Sequence, residues 1–278
     1  KCVLGHVATV FPYDYVHIGG DECPTEQWKT NKMCLDRVKE LGLDGVHQLQ
    51  SWLVEELGIF LKEEYGKDIV VWDELLHNWN DNNKTKPVIM AWNGMGYSTQ
   101  AANRGMKSII VPYQYLYIDF MQGEEGDLFV DEPYHGGWGV NTVDEIYGLN
   151  PLSALSGKEE FALGVQCNMW TETCNNIDEV EYCLLPRMLA VSEIGWLPTS
   201  KKNWTSFYRR LQTHDEIFDL LDYQYAKHFI EPKEYTQQES TIMEAEDLLA
   251  KSVRGGVGYP SAEVYDALKS ALEGTDGE

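Results

Sequence analysis

His17-Ile18-Gly19-Gly20-Asp21-Glu22 is the stretch on which the fold turns. Ahead of it, Tyr13-Asp14-Tyr15-Val16 is short and β-prone, which predicts a strand ending near Ile18. The paired glycines end that strand, because they allow backbone conformations and close approaches that a side chain blocks. Two adjacent carboxylates follow. The end of a buried strand is a costly place to collect charge unless chemistry uses it. The competing reading is a polar strand-to-helix turn in which Asp or Thr caps the next helix.

Outward from this point, short apolar runs recur, and each is closed by polar or aromatic residues. Ile69–Trp72 precedes Asp73-Glu74, Val88–Trp92 precedes Asn93-Gly94, Ser108–Val111 precedes Pro112-Tyr113, and Ala162–Trp170 precedes Thr171-Glu172. Helical patterns lie between them: the tail Lys1–Val10, a region from Pro24 to Leu41, and Val46–Glu64 stopped by Gly66. In the third, Leu49, Trp52, Leu53, Leu57 and Phe60 mark an apolar stripe. Further helices are expected over Ser98–Asn103 and Glu179–Trp196, and a long aromatic loop over residues 113–150.

Strands of this length alternating with helices indicate a parallel α/β barrel or a doubly wound sheet. No Gly-rich dinucleotide fingerprint follows a strand, which weakens the doubly wound option. In a barrel, chemistry gathers at the C-terminal ends of strands. Asp21, Glu22, Trp72, Asp73, Glu74, Trp92, Tyr117, Asp119, Trp170 and Glu172 all fall at or just beyond such ends. The strands number about five, where a closed barrel takes eight.

The 278 residues, 43% hydrophobic, suffice for one large domain or one and a half. A net charge of -23 excludes nucleic acid and anionic membrane surfaces as partners and suits a neutral substrate. Aromatics at 12% suit sugar recognition as well as core packing. The six cysteines form no CxxC pair and no zinc spacing, and are read as small buried hydrophobes, with a disulfide as the alternative in an exported chain. No run approaches the ~18 apolar residues of a membrane span. After about Tyr225 the pattern shifts to a helical hairpin, Ser240–Lys251 and Ala262–Leu272, the second capped by Ser261 across an intervening Gly-rich turn. Residues 1–228 and 229–278 are thus read as a main domain and the start of an appended helical module.

The string His-Ile-Gly-Gly-Asp-Glu, with the later stretches in the same order, resembles the family 20 glycoside hydrolases, the β-N-acetylhexosaminidases. The resemblance covers residues 1–228. It implies a partial (β/α)8 TIM barrel, of which the strand before Asp21 is the family's fourth and the earlier strands are missing. It implies substrate-assisted retention, in which the sugar's 2-acetamido oxygen is the nucleophile, an exception to the two-carboxylate scheme. Glu22 would be the acid and then the base, and Asp21 would hold the acetamido N–H. Trp72, Trp92 and Trp170 would line the N-acetyl pocket, with three core tryptophans as the plain alternative. Tyr117 would donate to the acetamido oxygen, while Asp119 and Glu172 would bind sugar hydroxyls. Seen alone, these last two read as solvated loop acids.

His17 is read either as tuning the acid pair through a hydrogen bond or as a satisfied structural group. Trp138, in a glycine-rich loop, would stack at the pocket mouth, and Asp73-Glu74 would support the loop. Cys23 is read as packing. One departure stands out: the family's sugar-binding arginine precedes anything in this chain, and Arg37 and Arg104 lie on predicted helices. The implied reaction uses no metal or organic cofactor. The implied partner is an N-acetylhexosamine-containing glycan, with self-association or pairing to the missing N-terminal half also expected. The implied setting is secreted, periplasmic or cell-surface. The rival readings are a non-catalytic glycan-binding remnant and a conventional two-carboxylate retaining glycosidase.

Overall fold

The computed structural model describes residues 1–123, 139–227, 249 and 261–273. Trp138, the glycine-rich turn near residue 256 and all but one residue of the expected Ser240–Lys251 helix lie outside this set. The chain divides into two compact units, Lys1–Tyr117 with Asn150–Asn168, and Ile118–Leu149 with Met169 onward.

The first unit carries five parallel strands: β1 (Tyr15–His17), β2 (Asp68–Trp72), β3 (Val88–Ala91), β4 (Ser108–Ile110) and β5 (Ala162–Val165). Their spatial order is the order of the chain. A doubly wound sheet reverses at a switch point, and these five strands show no reversal. All four residues of β3 are buried, the pattern of a strand covered on both faces. The two-residue period sorts side chains onto opposite faces. Val16, Ile69, Val71 and Ile89 pack with Val54, Leu61, Ala101 and Met106. Val70, Val88 and Met90 face the other way, with Trp72, Trp92 and Tyr117 packed against them. Each fully buried Val or Ile of these layers contributes roughly 1.5–3 kcal/mol.

The helices of this unit are α1 (Cys2–Val10), α2 (Lys32–Leu41), α3 (Gln48–Tyr65), α4 (Met95–Asn103) and α5 (Tyr113–Leu116). The helical region expected from Pro24 is broken. Glu26–Lys29 is a 3-10 turn, and Asn31 starts α2 by accepting from the Met33 and Cys34 amides. α3 ends at Gly66, whose φ of 69° only glycine adopts freely.

Its buried face is not the stripe the leucines suggested. Leu53 is 49% exposed, while Ser51, Val54, Glu55, Gly58 and Leu61 are buried. Two features turn the helix. Gly58 lets β2 approach so closely that a Cβ there would meet Ile69 Cδ1 at 2.9 Å and Thr85 Cγ2 at 3.0 Å. Glu55 turns inward because it accepts from the Lys84 amide (2.6 Å), the Thr85 amide and the Thr85 hydroxyl.

β5 is shorter than the expected Ala162–Trp170. Pairing shifts register at Ser108/Ile109, and the chain continues through single contacts, Gln166 N–H to Ile110 O (3.1 Å) and Asn168 N–H to Leu116 O (2.8 Å). Pairing is disturbed because Gly164 sits at φ 151°, outside the conformation a ladder requires.

In the second unit, the loop expected over 113–150 contains α6 (Val143–Gly148), started by a capping box between Thr142 and Glu145. The single helix expected over Glu179–Trp196 is two, α7 (Ile177–Leu184) and α8 (Arg187–Trp196). Pro186 parts them, since it has no N–H to continue the ladder. α9 (Trp204–Gln212) and α10 (Asp215–Leu220) follow. Tyr147 of α6 stacks on Phe207 of α9 at 4.5 Å, and its hydroxyl donates to Glu193 Oε1 at 2.9 Å. The last described helix, Ala262–Glu273, begins as expected, with Ser261 Oγ accepting from the Val264 amide at 3.3 Å. Of the six cysteines only Cys183 is buried, so the expectation of six packed thiols fails.

Candidate active site

β1 runs out at His17, but its backbone stays tied to β2. The Ile18 amide donates to Val70 O (3.0 Å) and the Trp72 amide to Gly19 O (3.1 Å). Gln50 Nε2 of α3 donates to Gly20 O (3.0 Å). Gly19 and Gly20 have φ of 79° and 105°, and Glu22 itself sits at 44°. A non-glycine residue held there stores backbone strain of order 1–3 kcal/mol. Asp21 and Glu22, which follow the two-glycine turn, are exposed rather than buried at a strand end. The capping alternative fails. Thr25 precedes the 3-10 turn Glu26–Lys29, and its side chain does not cap it.

The turn beyond β2 holds both of its neighbours. Glu74 Oε1 accepts from the Glu22 amide at 3.3 Å, and Oε2 accepts from the indole N–H of Trp92 at 2.8 Å. Asp73, fully buried, accepts from the Asn93 amide (2.9 Å) and the Asn93 side-chain amide (2.7 Å) at the end of β3. Burial pushes the Asp73 carboxyl up to about 6, against the Asn93 hydrogen bonds that lower it, and the nearby Glu74 charge also raises it. The expectation that Asp73-Glu74 supports the loop is met with specific partners.

Trp72, Trp92 and Tyr117 are half-buried, packed on Val70, Val88, Met90 and Val111. Trp92 stacks on Tyr117 with ring centroids 6.0 Å apart and planes 15° from parallel. These rings are therefore core on one side and accessible on the other. The His17 ring packs 4.9 Å from Trp72, and its Nδ1 accepts from the Gly19 amide at 3.0 Å. That bond goes to the turn rather than to the acid pair, and it leaves the proton of the neutral ring on Nε2. Although the residue is exposed as a whole, the ring's loss of water lowers its pKa, and the Asp21 charge acts the other way. Arg37 and Arg104 are committed elsewhere, Arg37 to Glu40 (2.8 Å) and the Trp52 face (4.6 Å), Arg104 to Leu76 O (2.6 Å).

The second unit brings together Asp119, Trp170 and Glu172. Asp119 is 6% exposed, and its Oδ1 is buried without a hydrogen-bond donor among the described residues. Burial pushes its carboxyl up to about 6, Glu172 raises it further, and Arg187 and the Trp170 amide pull it down. A solvated loop acid is excluded for Asp119, while Glu172 is exposed.

Sequence reasoning missed Arg187. It is fully buried, and its guanidinium donates to the carbonyls of Ile118 (2.6 Å), Phe120 (2.9 Å), Asn141 (2.9 Å) and Cys183 (2.8 Å). It thereby clasps the segment that carries Asp119. The available signal was a lone arginine in the otherwise apolar run Leu184–Val191.

Of the expected site residues, His17, Asp21, Glu22, Trp72, Trp92 and Tyr117 lie in the first unit and Asp119, Trp170 and Glu172 in the second. Acids and indole rings past the C-terminal ends of parallel strands stand where α/β enzymes of the barrel type gather their chemistry. The chain belongs to glycosyl hydrolase family 20, whose catalytic domain matches residues 1–199. It is 35% identical over 212 residues to a beta-hexosaminidase of Porphyromonas gingivalis, covering 75% of this chain and 26% of that one. It is 32% identical over 197 residues to a beta-hexosaminidase of Vibrio furnissii, covering 70% of this chain and 31% of that one. The chain thus spans about a quarter to a third of these relatives. The crystal structure of a GH20 exo β-N-acetylglucosaminidase from Vibrio harveyi with N-acetylglucosamine superimposes at TM-score 0.71 and 28% identity, over 81% of this chain and 35% of that chain.

Proposed function

We propose that this chain is part of a β-N-acetylhexosaminidase that removes terminal non-reducing N-acetylglucosamine or N-acetylgalactosamine by substrate-assisted retention. Its five strands are then consecutive strands of a (β/α)8 barrel. The observation that carries the reading is the loop Gly19–Glu22 at the C-terminal end of β1, linked through Glu74 to Trp92. Family membership adds to it.

Glu22 gives its proton to the departing glycosidic oxygen as the 2-acetamido oxygen attacks the anomeric carbon. Asp21 accepts the acetamido N–H and offsets the charge on the oxazolinium ion. The Glu22 carboxylate then takes a proton from the water that opens the ring. Trp72, Trp92 and Tyr117 enclose the acetamido group and exclude water, which fixes the attacking oxygen. The family resemblance assigns sugar hydroxyls to Asp119, whose buried Oδ1 has no donor among the described residues, and to Glu172.

In the full-length protein, Glu22→Gln should lose about two to four powers of ten in turnover on poor leaving groups. It should lose far less on an activated aryl glycoside, which hardly needs protonation. Equal losses would remove Glu22 from the acid role. A glycoside lacking the 2-acetamido group should not be cleaved, and a covalent adduct trapped on a carboxylate would replace this mechanism with a two-carboxylate one.

A further inference from the structure

We infer that Glu74 is a positioning residue that locks the acid loop and the Trp92 indole into one unit, an inference that rests on the proposed function. A single carboxylate spends one oxygen on each partner, the Glu22 amide at 3.3 Å and the Trp92 Nε1–H at 2.8 Å. Both partners are donors, and they come from different strand ends. Glutamine, the neutral isostere, does not offer two acceptor oxygens: it has one and turns an NH2 toward the second donor.

The Glu22 amide also needs holding. At φ 44° its backbone lies in a region a side chain disfavours, and a charge-assisted hydrogen bond to that amide stabilises the strained conformer. The neighbouring Asp73 fastens Asn93 in the same way, so the 3-10 turn Asp73–His77 grips β1's loop with one acid and β3's end with the other. The acid that protonates and the ring that flanks the sugar therefore keep a fixed separation. Loss of Glu74 leaves the Glu22 side chain present but misplaced.

Glu74→Gln in the full-length protein tests this with two readouts. The first is the Nε1–H resonance of Trp92, assigned by its disappearance in Trp92→Phe. It should move upfield when the carboxylate is replaced, and an unchanged resonance overturns the inference whatever the activity. The second is turnover. Glu74→Gln should lower kcat about ten- to a hundredfold on an alkyl N-acetylglucosaminide and several-fold less on an activated aryl one. A general folding defect would lower both equally, and that result overturns the positioning role. In a Trp92→Phe background the opposing donor is gone, so the introduced glutamine can turn its oxygen to the Glu22 amide. The substitution should then cost several-fold less than in the wild type, and an undiminished cost counts against the shared-carboxylate geometry. Absence of wild-type turnover on every N-acetylhexosaminide would sink the proposed function instead, and the resonance would still decide whether Glu74 holds Trp92.

Discussion

At the scale of single residues, the informative groups are the buried acids. Asp119 titrates near 6 in the folded chain, against an ordinary value of 3.8, chiefly through burial. A raised acid binds its proton more tightly folded than unfolded. Its contribution is therefore fully present below about 3.8 and is lost as pH rises through about 6. Asp119→Asn removes that titration and keeps an acceptor for the Trp170 amide. The variant should unfold at a higher midpoint than wild type at pH 7, with the difference closing by about pH 4, as followed by thermal melts across that range. It should also bind N-acetylglucosamine more weakly, the trade-off expected where a costly charge serves a ligand. A midpoint difference independent of pH would show that Asp119 is not the titrating group.

At the scale of elements, α3 shows how packing overrides an apolar pattern. The leucine-rich stripe predicts that Leu53 faces the core, yet the seam runs through Glu55 and Gly58. Glu55→Ala leaves the Lys84 and Thr85 amides and the Thr85 hydroxyl without their acceptor. That should cost about 1.5–3 kcal/mol in denaturant unfolding, the range for hydrogen bonds to a charged group. Leu53→Ala, on the open face, should cost less than about 1 kcal/mol. The reverse ranking would mean that the helix sits with its leucine stripe inward. The same element-level logic applies to Arg187, whose carbonyl partners stand in for regular pairing around Asp119.

At the scale of the molecule, the five-stranded sheet ends at β1 and β5. Among the described residues β1 pairs only with β2 and β5 only with β4, which leaves one edge of each strand without a ladder partner. Open parallel edges offer unpaired N–H and C=O groups to another chain. Residues 1–278 on their own should self-associate through these strands and show little turnover on simple N-acetylglucosaminides. Light scattering and an activity assay on the isolated chain check both. A monomer with ordinary turnover would show that the sheet edges are closed by other means.

The sequence alone determined the local and periodic features. Five parallel strands, the Gly66 stop, the Ser261 cap and the placement of Asp21, Glu22, Trp72 and Trp92 past strand ends follow from apolar runs closed by glycine or polar residues. These signals are local because a strand's period and a glycine's freedom belong to a few neighbouring residues. Only the tertiary structure decided the rotation of α3, the break of the α7–α8 stretch into two helices, the exposure of the acid pair, and the roles of Glu74 and Arg187. Most of these depend on which group lies within hydrogen-bond reach across tens of residues. Glu22 meets Glu74 52 residues on, and Arg187 reaches back 69 to Ile118. A buried charge is stable only where such distant partners converge, and no spacing along the chain records that convergence.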